Sequence, residues 1–202
     1  MLLFFGLAAM ARAETPTTKP AGKPDATVTI ENRAYSFHYA VPKAWTVKQK
    51  SDKTTVFNLP SKTGAYHGLF IVLTGTPVKE GAKLEDIVAG KKQAIEARNR
   101  ESKYTNDSAV TLDGERAWRI EYQFSEPAKQ TTSVNGKPAD VKEVMLMHQT
   151  VDVMCVRGKA VVEIMYVTIA ENFAAHIDEV EAALASFKWA DDAAGPAAKD
   201  NK

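Results

Sequence analysis

Trp118-Arg119-Ile120-Glu121-Tyr122-Gln123-Phe124 decides the fold class of this chain. Large apolar side chains fall on alternate residues, with Arg119, Glu121 and Gln123 between them. An extended strand, whose side chains point to opposite faces in turn, sorts that pattern cleanly. One apolar and one polar face is the pattern of an antiparallel sheet rather than of a parallel one buried on both sides. Upstream, Asp107 to Leu112 carries strand signals and Asp113-Gly114 is a strong turn pair, so a hairpin is expected. Downstream, Ser125 to Asp140 is rich in Pro, Lys and Thr and reads as a long exposed connection, a place where function often sits. Two long strands should follow, Val141 to Val156 and Ala160 to Ile169, joined at Arg157-Gly158-Lys159.

Further out the period changes. Leu84, Ile87, Val88, Lys91 and Ile95 recur at helical spacing, with Glu85 and Asp86 in the first turn and Arg98 and Arg100 in the last, charges that complement the helix dipole. Phe173, Ile177, Val180, Leu184 and Phe187 mark a closing helix with a continuous apolar stripe. Near the start, Thr27 to Glu31 and Tyr35 to Tyr39 have hairpin spacing, Pro42 ends the ladder, and Trp45 has the bulk to anchor the next strand. Further strands are expected at Thr54 to Leu59 and His67 to Thr74. Strands, helix, strands, helix is not the regular alternation of a parallel sheet. The expected class is α+β: a mostly antiparallel sheet flanked by helices, one domain over 26–190.

The opening Tyr35-Ser36-Phe37-His38-Tyr39-Ala40-Val41-Pro42-Lys43-Ala44-Trp45, a strand ending in proline and then tryptophan, is similar to the start of PsbP-like domains. The helix after the early strands, the long antiparallel pair and a terminal helix finishing in Ala185-Ser186-Phe187 resemble the same superfamily. Its members include an extrinsic photosystem subunit, a Ran-binding nuclear import factor and exported bacterial DcrB-type proteins. The resemblance implies an α/β/α sandwich and a role in binding or assembly rather than turnover. It does not choose the partner.

Candidate chemistry is sparse. His38, His67, His148 and His176 do not pair at ligand spacing, and the sequence has no HExxH, CxxC, nucleophile elbow or phosphate-cradling glycine loop. The best constellation comes from alternation: Arg119, Glu121 and Gln123 share one strand face, and His148, Thr150 and Asp152 share another. Were those strands neighbours, Arg119, Glu121, His148 and Asp152, joined by Glu163, would form a binding patch for a ligand or cation, or an acid/base group for a hydrolase. The bland reading of the same residues is a covered sheet face with cross-strand ion pairs. Met145, Met147, Met154 and Met165 suggest soft copper ligands only weakly, because Met145 and Met147 point away from His148; core packing is the expectation. No metal or cofactor is assigned. Cys155, the only cysteine, sits in an apolar run and reads as a small buried hydrophobe with no disulfide to make.

The ends set the expected compartment. Met1 to Ala13 is an apolar run closing in Ala11-Arg12-Ala13, the form of a secretory leader with its cleavage site, although the usual basic n-region is missing. The run is too short for a span, which needs roughly 20 apolar residues. Residues 14–25 contain Pro16, Pro20 and Pro24 and read as a flexible tether, and 191–202 as a disordered tail. An exported protein, periplasmic or extracellular, is expected. The chain has 26 Lys+Arg against 25 Asp+Glu, and losing the leader removes Arg12 and no acid. A neutral mature chain has no field to draw nucleic acid or anionic lipid and argues against a Ran partner. The expected function is therefore a non-catalytic binding or scaffolding domain acting on a protein partner in the cell envelope, with ligand or metal carriage, and then a hydrolase, as the alternatives.

Overall fold

The computed structural model describes residues 26–60, 68–79, 81–98, 101–134 and 137–190. The expected leader, tether and tail lie outside the described residues, as does His67. In chain order the elements are β1 (Thr27–Asn32), β2 (Phe37–Pro42), β3 (Thr46–Lys50), β4 (Thr54–Asn58), β5 (Leu69–Pro77), α1 (Leu84–Arg98), β6 (Lys103–Leu112), β7 (Glu115–Val134), β8 (Lys137–Arg157), β9 (Ala160–Ile169), α2 (Ala170–Ala185) and β10 (Lys188–Trp189). They form a seven-stranded sheet, β3-β4-β5-β9-β8-β7-β6, and a three-stranded one, β1-β2-β10. Every strand pair is antiparallel.

Strand alternation divides the apolar residues of the large sheet between its two sides. Val151, Val153 and Cys155 of β8 and Ile164 and Tyr166 of β9 pack with Val180 and Ala183 of α2 and with Phe37 and Tyr39 of the small sheet. Met154 and Val161, whose side chains point the other way, pack with Ile120 and Tyr122 of β7 and with Leu84, Val88 and Ile95 of α1. One helix therefore seals each face, and the architecture is the α/β/α sandwich. Cys155 is fully buried and unpaired, and burial raises its thiol to about 11, so it behaves as core.

Two glycine positions fix the chain path. Asp113 (φ 48°) and Gly114 (φ 81°) both sit in the left-handed region, as a two-residue hairpin turn between β6 and β7 requires. The Asp113 carboxylate also accepts from Lys188 Nζ (2.6 Å) and the Trp189 backbone N–H (2.8 Å), tying β10 to that turn. Gly75 (φ 80°) lies at a bulge against β9, and a Cβ there would meet the Tyr35 hydroxyl at 1.9 Å.

The structure corrects one expectation about secondary structure. Ser125 to Asp140 is not a loop: β7 runs on to Val134 and β8 starts at Lys137, paired from Ser125↔Met147 to Val134↔Lys137. β6 leaves β7 at Gln123 and β9 leaves β8 at His148, so beyond those points the two strands pair, among the described residues, only with each other. The resulting arm has free edges, which tolerate Pro127 and Pro138 where an inner strand would not. Its polar composition misled the loop reading because β6 and β9 end before the arm, so its strands lie outside the run of the sheet that carries the apolar alternation.

Candidate functional site

The sheet does not assemble the expected patch as one site. β7 and β8 are adjacent as supposed, but Arg119 pairs with Val153 and Glu121 with Val151, whereas Asp152 stands opposite Ile120. Residues directly opposite share a face. Arg119 and Glu121 thus lie on the α2 side, and His148, Thr150, Asp152 and Glu163 on the α1 side. The hydrolase trio of His148, Asp152 and Glu121 is split by the sheet itself.

On the α2 side, Arg119 is a fastener. Its guanidinium donates to both Glu181 carboxylate oxygens (3.1 and 2.6 Å) and to Glu121 Oε1 (2.7 Å), linking α2 to β7. Burial pulls its pKa down, but Glu181 and Glu121 outweigh that and hold it above the ordinary arginine value. Nearby, Glu179 Oε2 accepts from Trp45 Nε1 (3.1 Å) and sits 3.0 Å from His176 Nδ1, while His176 Nε2 lies 2.9 Å from the Pro60 carbonyl oxygen. His176 is consumed by packing α2 onto the chain beside β4.

On the α1 side, Lys91 of α1 reaches down between two acids from different strands. Its Nζ is 2.5 Å from Glu163 Oε1 and 3.1 Å from Asp152 Oδ2. Asp152 is completely buried, and neither of its oxygens has a well-aligned hydrogen bond. Two opposing tendencies meet here. Burial raises the Asp152 pKa first, with the neighbouring Glu163 charge adding to it and Lys91 only partly offsetting it. For Lys91, burial lowers the pKa, but the two carboxylates outweigh it and hold the ammonium firmly charged. One cation serving two acids reconciles them: Lys91 stays charged while the buried Asp152 retains a proton more readily than an ordinary carboxylate. Sequence reasoning found Asp152 and Glu163 and put Lys91 on the apolar stripe of α1, but did not join the three, because helical spacing does not say which strand residues a stripe position meets.

Beside this cluster, under the C-terminal half of α1, a cleft of about 510 Å³ is lined by Lys91, Ile95, Arg98, Tyr122, Phe124, Glu126 and Met165 among others. Tyr122 and Phe124 stack at 6.0 Å, and Phe124 stacks on His148 at 5.0 Å and 13°. His148 Nε2 is 3.0 Å from Glu126 Oε1. Burial, helped by the Asp152 charge, raises the Tyr122 hydroxyl, which therefore stays protonated. A hollow of about 580 Å³ beside Glu31, Arg33, Lys50 and Asp52 is slightly larger, but those four are exposed and it contains no buried titratable group.

The methionines also divide. Met154 packs in the core as expected, and Met165 reaches the cleft. Met145 and Met147 do not pack: they are 64% and 47% exposed on one face of the arm. Alternation put them on a shared face correctly, but no helix covers that face beyond the sheet. Among the described residues no group of His, Cys, Asp and Glu is arranged to hold a metal ion, and no helix is long and apolar enough to cross a membrane.

No family model and no curated protein matches the sequence. Solved structures do match. The cyanobacterial PsbP (CyanoP) of Synechocystis sp. PCC 6803 is similar over 86% of this chain and 97% of its own, at 11% identity and a TM-score of 0.51. The Ran-binding protein Mog1p of Saccharomyces cerevisiae is similar over 83% of this chain and 97% of its own, at 10% identity and a TM-score of 0.51. At such identities the likeness is one of fold, and the chain has the PsbP/Mog1-like fold.

Proposed function

We propose that this chain is an exported, non-catalytic binding domain that acts through a protein partner in the cell envelope, with the β7–β8 arm as its contact element. The observation that carries the reading is the arm itself. From Phe124 to Val134 it extends ~35 Å at ~3.3 Å per residue, with neither edge paired to another strand among the described residues. Unpaired edges and exposed apolar side chains are what a monomer ordinarily avoids and what strand-adding partners use. Met145 and Met147 supply adaptable contact area beside Pro127, the residue opposite Met145. Mog1p, with the same fold, is named for the protein it binds, which agrees with a partner-binding use of this scaffold. Export rests on the leader pattern of Met1 to Ala13.

The test is affinity capture from envelope extracts with the wild-type chain and with a Met145→Asp, Met147→Asp double variant. A reproducible partner lost by the variant, at unchanged melting temperature, is the expected result. A partner retained in full by the variant moves the contact off the arm. Failure to find any partner, together with substrate turnover abolished by His148→Ala, sinks the binding reading.

A further inference from the structure

We propose that the cleft beneath the C-terminal half of α1 is a binding site for a small planar aromatic monocarboxylate, its ring against Phe124 and Tyr122 and its carboxylate on Arg98. The size fits: about 510 Å³ lies in the ordinary range of ~300–1,000 Å³ for small-molecule sites. The rings of Tyr122, Phe124 and His148 follow one another along the strands with their faces taken up by mutual stacking, so a ligand meets ring edges, whose positive rim favours the negative face of a flat aromatic over an aliphatic chain.

Charge selects the other half of the ligand. Lys91 is committed to Asp152 and Glu163, and Glu126 lies against His148. Arg98, among the described residues, has neither an ion pair nor a hydrogen bond, so its guanidinium is the uncommitted charge on the cleft wall. A guanidinium presents a planar fork that matches one carboxylate. The negative pole of α1 and the nearby acids weigh against a multiply charged anion such as a phosphate ester. Asp152 and Glu163 give a free amine little to gain, since Lys91 already fills that position. The cleft opens on the α1 side, whereas Met145 and Met147 face the other way, so this site and the partner contact stand or fall separately.

The experiment is an NMR titration of the full chain with three matched probes: benzoate, which has ring and charge; cyclohexanecarboxylate, which has charge alone; and benzamide, which has the ring alone. Benzoate should give saturable shifts at Tyr122, Phe124 and Arg98 in the millimolar range, with both partial probes weaker by roughly tenfold, the equivalent of about 1.4 kcal/mol. Arg98→Ala should lower benzoate affinity by roughly tenfold with little change in melting temperature, because Arg98 is exposed at the end of α1. Shifts that never saturate overturn the proposal. So does equal binding of cyclohexanecarboxylate, which removes the aromatic contact, or an unaltered affinity in Arg98→Ala, which removes the charge.

Discussion

The two faces of the large sheet are closed by different physics. On the α2 side the seal is made of rings: Phe187 lies 4.8 Å from both Phe37 and Trp189, and Trp45 lies 5.1 Å from Phe70. On the α1 side only Leu84, Val88 and Ile95 of the helix are buried, with Ile87 half-buried beside them, and much of the remaining attachment is ionic. Lys91 reaches Asp152 and Glu163, Lys92 reaches Asp107, and Glu85 reaches Arg116. Ring burial is non-directional, large and indifferent to pH. Ion pairs fix position but return little net stability once desolvation is counted. The α2 face is therefore the stability of the molecule, and the α1 face, with its cleft and buried acid, is where chemistry has room.

The comparison predicts its own largest effect. Phe187→Ala removes a ring that is 1% exposed from the centre of the aromatic cluster and should cost ~3–5 kcal/mol by urea denaturation. Lys91→Met should cost less, ~1–3 kcal/mol, since Asp152 escapes an unpaired buried charge by keeping its proton. A Lys91→Met, Asp152→Leu double variant should recover most of that loss, because an apolar replacement removes the desolvation cost along with the pair. If Lys91→Met proves as damaging as Phe187→Ala, charges hold the fold as much as rings do and the contrast is wrong.

Apolar burial was legible in the sequence on both sides of the sheet, whereas the ionic contacts on the α1 side were not. The apolar stripe at Phe173, Ile177, Val180, Leu184 and Phe187 reports burial directly on the α2 side, the alternation of Trp118 to Phe124 does so on the α1 side, and both elements formed. Periodicity also located α1. It set Lys91 on the inward stripe but could not say that acids on β8 and β9 would meet it there, because that contact joins positions 61 and 72 residues away. The expected patch failed for a related reason. Alternation gives which residues of one strand share a face, but the face shared between two strands depends on register, and a shift of one residue exchanges the sides. The arm was missed because composition tracks solvent exposure, and a two-stranded ribbon clear of the core is as polar as a loop.

Acidity separates the faces further. Asp152 holds its proton more tightly folded than unfolded, so its contribution to stability is complete below the ordinary Asp value of about 3.9 and fades as pH rises through the elevated folded value. The stability of the wild type relative to Asp152→Asn should accordingly fall between about pH 4 and about pH 8, with a slope no steeper than ~1.4 kcal/mol per pH unit for one proton. The matching comparison on the α2 side, wild type against Phe187→Leu, should show no such slope, since no ionisable group is removed. A flat Asp152→Asn difference would mean that Lys91 fully neutralises the buried acid and that the α1 face is no more pH-sensitive than its counterpart.

The smallest effect belongs to the outermost clamp of α1. Arg116 and Glu85 pair at 65% and 42% side-chain exposure, where water screens the attraction and two long side chains lose freedom to meet. Arg116→Ala should leave the urea midpoint where it is, within the scatter of repeat measurements. The substitution matters because it isolates depth from charge: the same helix, the same sign of interaction, and only the burial of the partners differs from Lys91. A midpoint shift comparable to that of Lys91→Met would place the hold on α1 at its exposed rim, and the buried acid would then be a consequence of the helix position and not its cause.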